Sequence, residues 1–186
     1  YSVTVFEREK EIGGNLRYGV PSFRLHRDRL QAELDRIRSY GMRFETGKAL
    51  GRDFTLESLK SDGFESVFLA VGANASEPLN IPGEDAKGVL LAADLIKLIS
   101  DHQPVDLGDS VLVYGEDGSA IDAARMVRRL GVEKVTLASK GFSKRRGTLQ
   151  QYFAEAQDEG IRCIEDVALI AILEDDGQVT GVELSN

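Results

Sequence analysis

Apolar side chains along this chain come in two spacings, continuous runs and sets three or four apart, and the two alternate. Residues 3–6 are β-branched and aromatic and stop at Glu7, which predicts a strand. Residues 8–21 carry Gly13, Gly14, Gly19 and Pro21, a density of breakers that argues against any regular element there. Leu30, Leu34 and Ile37 fall at helical spacing within residues 27–40, and Gly41 ends that helix. Residues 42–46 alternate as a strand does, and a short helix over 55–60 stops by Gly63. Ser66-Val67-Phe68-Leu69-Ala70-Val71 is a continuous apolar run of the kind a buried parallel strand carries, leading into Gly72-Ala73.

Residues 78–88 form a turn-rich connector around Ile81-Pro82-Gly83, followed by a short apolar helix over 92–100. A second unit opens near Asp109: strand 111–114, tight loop 115–118, helix 119–130, strand 134–138, helix 148–159 and strand 161–164. Residues 167–173 and 178–184 pair as a hairpin across Asp176-Gly177, a strong two-residue turn signal. There is no internal repeat. Strands alternating with helices in both halves predict an α/β fold with mostly parallel sheets.

Composition narrows the function more than the fold. The 186 residues are 42% hydrophobic and 29% charged, an ordinary globular balance. The net charge of −8 argues against a nucleic-acid partner. No run of about 18 apolar residues exists to cross a membrane. Cys163 is the sole cysteine, so no internal disulfide, zinc site or iron–sulfur ligand set is expected, and a strand thiol fits better than a nucleophile. A reducing, cytoplasmic setting is expected. Because the sequence opens in a strand-like run without methionine, no signal peptide is expected, and an excised piece of a longer protein is.

The candidate chemistry begins with the strand–loop–helix–strand of residues 111–138, the layout of a dinucleotide-binding unit. Its loop is Gly115-Glu116-Asp117-Gly118-Ser119-Ala120 where G-x-G-x-x-G/A is expected. The first glycine and the closing alanine suit a tight turn and close helix–strand packing. Asp117 stands where the middle glycine would admit a pyrophosphate, and Gly118 lies one place late. Two carboxylates complement the helix N-terminus but compete with an anionic ligand for it. A crossover that binds nothing therefore stays open. Where an NAD site places an acid at the end of the second strand, this chain has Ser139-Lys140 and then Lys144-Arg145-Arg146. Those cations favour the 2′-phosphate of NADP, or else form a solvated basic loop. Glu7 ends the first strand where the acidic ribose ligand of a second such unit would belong, or else is one of the glutamates that commonly end strands.

After Glu7 comes Ile12-Gly13-Gly14-Asn15-Leu16-Arg17-Tyr18-Gly19-Val20-Pro21-Ser22-Phe23-Arg24-Leu25. This stretch resembles the flavin-domain segment G-G-L-L-R-Y-G-I-P-x-F-R-L-P of the glutamate synthase small subunit and of the matching module of dihydropyrimidine dehydrogenase. The similarity continues through Phe68-Leu69-Ala70-Val71-Gly72-Ala73, Ile81-Pro82-Gly83-Glu84, Ile121-Asp122-Ala123-Ala124-Arg125 and Val179-Thr180-Gly181-Val182-Glu183. In that family an NADP domain is inserted in an FAD domain, and electrons pass from NADPH through flavin to iron–sulfur clusters and a partner subunit.

The resemblance implies a partial FAD-binding three-layer Rossmann-like domain over residues 1–105 and a partial, inserted NADP-type Rossmann domain over 106–186. It implies that Glu7 holds the FAD adenosine ribose, that Gly13, Gly14 and Asn15 lie along the FAD, and that Arg24, Leu50 and Gly72 add contacts. It further implies that Gly115, Ser119 and Ala120 form the NADP loop, with Lys140 and Arg146 on the 2′-phosphate. The chain departs from the family in lacking the FAD glycine-rich loop and a cysteine-rich cluster domain, and in Asp117, Ser139 and His26. The expected parent is an FAD- and NAD(P)H-dependent oxidoreductase that serves an iron–sulfur domain or a larger catalytic subunit. The isolated chain is expected to be inactive, and no catalytic or metal-ligating residue is assigned. A non-catalytic module that kept the scaffold and lost its cofactors is the alternative.

Overall fold

Two parallel sheets and an antiparallel hairpin account for the strands in the computed structural model, which describes residues 1–73, 78–141 and 147–185. The chain divides into two compact units, Tyr1–Ala75 and Ser76–Asn186.

In the first unit β1 (Thr4–Glu7) pairs in parallel with β2 (Arg43–Thr46), Glu7 standing opposite Thr46. Between them lie α1 (Gly14–Tyr18) and α2 (Arg27–Ser39). The glycines that argued against regular structure in residues 8–21 instead start α1, because Gly13 (φ 129°) and Gly14 (φ 49°) adopt backbone angles that other residues resist. Leu30 is the buried residue of α2, on the side opposite its charged majority. Helix α3 (Leu56–Ser61) begins with a reciprocal cap: Thr55 Oγ1 accepts the Ser58 N–H at 3.2 Å, and the Thr55 N–H donates to Ser58 Oγ at 3.0 Å. Phe6 stacks near Phe54 and Phe64, ring centroids 4.7 and 5.9 Å away, which gathers the small core around β1.

The apolar run 66–71 departs from expectation. It joins neither parallel sheet, and Phe68 is 92% exposed. A strand that is apolar on both faces needs cover on both, and the two short strands of this unit supply none.

The second unit begins with α4 (Ala92–Ser100) and continues through β3 (Ser110–Tyr114), α5 (Gly118–Arg129), β4 (Lys134–Ala138), α6 (Thr148–Asp158) and β5 (Arg162–Ile164). The strands form a parallel sheet in the order β3-β4-β5, with Tyr114 opposite Ala138. Helix α5 packs on α4, on α6 and on β3 and β4, and every residue from Ala120 to Val127 is buried. Its apolar members each contribute on the order of 1.5–3 kcal/mol of burial for a side chain of Ile or Val size. Arg125 is tolerated inside because its guanidinium meets Glu155 Oε2 at 2.6 Å and Glu159 Oε1 at 2.8 Å, on α6 and its cap.

Strands β6 (Ala168–Asp175) and β7 (Gln178–Ser185) close the hairpin, with Asp176 and Gly177 at φ 52° and 74° as a type I′ turn requires. The connector packs on this hairpin. Pro82 O accepts the Ile172 N–H at 2.8 Å, and a Cβ on Gly83 would stand 2.1 Å from Ile172 O.

Candidate functional site

At the C-terminal edge of the β3-β4-β5 sheet, the chain leaves β3 through Gly115 and enters α5. A Cβ on Gly115 would come within 2.6 Å of Ala120 Cβ, so glycine first and alanine last are both steric requirements of this turn. The Gly115 N–H donates to Ala138 O at 3.2 Å, tying the loop to the end of β4. Gly118 meets no comparable demand, since a Cβ there would meet Leu149 only at 3.8 Å.

Asp117 caps α5. Its backbone is extended (φ −123°, ψ 179°), and Oδ1 accepts the Ala120 N–H at 3.1 Å. The carboxylate thus takes a helix N–H that a phosphate would otherwise receive. Ser119, in the first turn, is exposed.

Lys140 stands exposed just past β4, its Nζ 3.7 Å from Glu116 Oε1. Gly115, Glu116, Lys140 and Tyr114 line a cleft of about 380 Å³ together with Leu79, Ile81, Ala168 and Leu169. Ser139 is buried and turns back on the chain, its Oγ accepting the Gly141 N–H at 3.2 Å. The structure therefore gathers Gly115 and Lys140 in one cleft, with Ala120 behind the turn. Arg146 and its neighbours Lys144 and Arg145 lie outside the described residues. Glu116 and Tyr114 are cleft residues that sequence reasoning did not single out for this role. Their signal was only the register that sets the ends of β3 and β4 side by side.

The first unit distributes its candidates differently. Glu7 is half-buried at the end of β1, and its Oε1 accepts the Glu9 N–H at 3.0 Å. The Lys48 N–H donates to Glu7 O at 2.9 Å and the Gly47 N–H to Glu9 O at 3.0 Å, which clamps the two strand ends together. Gly13 precedes α1, where a Cβ would press on Arg17 Cβ at 3.1 Å. Gly14 is open to solvent, and Asn15 folds its amide oxygen against Gly19, where a Cβ would sit only 1.8 Å away. Arg24 is half-buried, with its backbone N–H on Pro21 O at 3.0 Å. Leu50 is exposed and bridges to Phe54, and Gly72 is exposed at φ 72°.

A cleft of about 290 Å³ in this unit is lined by Lys10, Glu11, Ile12, Arg17, Gln31 and Thr46 among others, and by none of those seven residues. Arg17 anchors it, donating to Ile12 O at 2.7 Å and to Gln31 Oε1 at 2.9 Å and pairing with Glu11 at 2.5 Å.

Fit to the two expected cofactors is uneven. The β3–α5 turn has the packing a dinucleotide loop needs and a cation at the end of β4, but the cap by Asp117 competes for the pyrophosphate position. The first unit offers a carboxylate at a strand end and a glycine turn, with no G-x-G-x-x-G sequence in residues 1–73. Cys163 is half-buried, its thiol pushed up to about 11 by burial and then by Glu165, which leaves it protonated and unreactive at neutral pH. Among the described residues there is no metal-binding cluster, and no helix is long and apolar enough to cross a membrane.

No family model matches the chain. Curated relatives do. The chain is 35% identical over 189 residues to the NADPH-Fe(3+) oxidoreductase subunit beta of Geobacter sulfurreducens, covering 98% of itself and 28% of that protein. It is 38% identical over 144 residues to the glutamate synthase [NADPH] small chain of Mycobacterium tuberculosis, covering 70% of itself and 29% of that protein. The chain thus spans less than a third of the length of either. Among solved structures, FprA of Mycobacterium tuberculosis in complex with NADPH superposes with a TM-score of 0.75 at 16% identity, over 99% of this chain and 60% of that one. That likeness establishes the Rossmann-type α/β fold. In sequence the chain is similar to a segment of these two oxidoreductase subunits.

Proposed function

We propose that this chain is part of an FAD-dependent NADPH oxidoreductase that passes electrons from NADPH through FAD to an iron–sulfur domain or a larger partner subunit, in the cytoplasm. The observation that carries the reading is the match along 98% of the chain to a subunit named for NADPH oxidation. The cleft joining Gly115 and Lys140 supports it from the side of geometry. In this reading residues 1–105 contribute to the FAD domain and 106–186 to the NADP domain.

Hydride transfer is the chemistry that nicotinamide and flavin supply when bound. The chain's own part is binding and orientation. Gly115 and Ala120 keep the β3–α5 turn tight beside a dinucleotide backbone, with Ser119 offering a hydroxyl. Lys140 and Arg146 attract the 2′-phosphate. Glu7 accepts ribose hydroxyls, and Gly13, Gly14, Asn15, Arg24, Leu50 and Gly72 border the FAD.

A second reading, a scaffold that no longer binds its cofactors, is favoured by one observation, the Asp117 carboxylate already capping α5. A visible absorbance spectrum of the longest gene product containing this sequence separates the two. Flavin bands that bleach on anaerobic addition of NADPH support the oxidoreductase. A colourless protein with no flavin supports the bare scaffold. The 186-residue chain by itself is expected to purify colourless, because residues 1–73 contain no G-x-G-x-x-G loop to cradle the FAD pyrophosphate.

A further inference from the structure

Among the described residues that line the β3–β4 cleft Glu116 is the one carboxylate, and it faces Lys140. Glu116 Oε1 and Lys140 Nζ are 3.7 Å apart, with the two side chains 40% and 62% exposed. The pairing follows from register: Tyr114 and Ala138 are opposite, so residues two positions beyond each strand end face one another.

We infer that Glu116 sets the nucleotide preference of this cleft, acting as the resident counter-ion of Lys140 and opposing a 2′-phosphorylated ribose. The inference rests on the reading that the β3–α5–β4 unit takes an adenine dinucleotide. In such a unit the end of the second strand meets the ribose 2′ position. A phosphate that reaches Lys140 must either draw the ammonium away from Glu116 or accept a carboxylate a few Å from its own charge. Both cost affinity that a 2′-hydroxyl does not lose. A carboxylate there is, moreover, an acceptor for free ribose hydroxyls, which is how acidic residues select the unphosphorylated cofactor. Lys140 and Glu116 thus pull in opposite directions, and Glu116 subtracts from the preference that Lys140 confers. Because both side chains are partly solvated, the effect of Glu116 is modest, on the order of five- to tenfold in relative affinity.

The test is calorimetry on the 186-residue chain with 2′,5′-ADP and ADP as probes, at one fixed low ionic strength. The proteins are the unchanged chain, Glu116→Gln, and Glu116→Gln combined with Lys140→Ala, each checked for unaltered circular dichroism. Glutamine keeps the size and hydrogen-bonding capacity and removes the charge. The expected result is a shift of about five- to tenfold toward 2′,5′-ADP in Glu116→Gln, abolished when Lys140 is also removed. Nucleotide binding with an unchanged ratio, or a gain that survives loss of Lys140, overturns the inference and leaves the dinucleotide reading standing. Failure of all three proteins to bind either probe overturns that reading, and this inference with it.

Discussion

The two units carry the same kinds of sequence signal and spend them differently. In the second, a strand, a tight turn and a helix close on themselves. Helix α5 is buried from Ala120 to Val127, and the parallel sheet has strands on both sides of β4. In the first, β1 and β2 are four residues each, and the most apolar run, residues 66–71, lies outside any sheet with Phe68 in solvent. An apolar run is therefore not a strand until neighbours supply hydrogen bonds along its edges and cover on its faces. Local pattern decides α5 and β4, whereas residues 66–71 depend on what surrounds them.

That contrast predicts the sharpest difference in stability. Ile121 is fully buried on α5, and Ile121→Ala should cost about 2–5 kcal/mol by lost transfer energy and cavity formation. Phe68→Ala should change stability by about 0.5 kcal/mol or less, although the deleted side chain is larger. Urea melts of both variants test the pair, and equal costs would show that residues 66–71 are covered in solution.

Next in size is the ion-pair cluster that fastens α6 to α5. Arg125 has an 8% exposed side chain between Glu155 and Glu159, and Arg125→Met should cost about 3 kcal/mol by leaving those carboxylates short of a cation. Hydrogen bonds from Arg129 and then Arg125 hold the Glu159 carboxyl below its ordinary value, against the burial that raises it. A depressed carboxylate stabilises the fold above its unfolded pKa of about 4.3, and that contribution is lost as pH falls through the lower folded value. Glu159→Gln should therefore lower the urea midpoint at pH 7, by an amount that shrinks as the pH falls below about 4.3. A constant difference across that range would show that the charge is not what matters.

How much of this was legible beforehand varies by residue. The β3–α5–β4 unit was, because its apolar spacing, Gly115 and Ala120 answer to local geometry. Helix α1 was not, since Gly13 and Gly14 read as breakers until their positive φ angles place them at a helix start. The role of Asp117 was half legible: the sequence shows a carboxylate in a glycine's place, and the hydrogen bond to the Ala120 N–H shows what it does there. The pairing of Glu116 with Lys140 was hidden, because it exists only once β3 and β4 are in register.

A smaller effect concerns that cap. Asp117→Gly should cost stability only a few tenths of a kcal/mol, since glycine is itself an acceptable N-cap. The same change frees the Ala120 N–H and removes a carboxylate from the pyrophosphate position, so NADPH should bind roughly tenfold tighter, about 1.4 kcal/mol. Calorimetry at one ionic strength measures it, and unchanged affinity would mean that Gly118 already provides the close approach.

The claim on which the rest depends is that the second unit reads the phosphate of an NADP-type cofactor. Titration of the longest gene product containing this sequence with NADPH and NADH, alongside its Lys140→Ala/Arg146→Ala variant, tests that claim most directly. The account predicts tighter binding of NADPH by the unchanged protein and loss of that preference in the variant. Equal affinities for the two cofactors, unaltered by the substitutions, would contradict it.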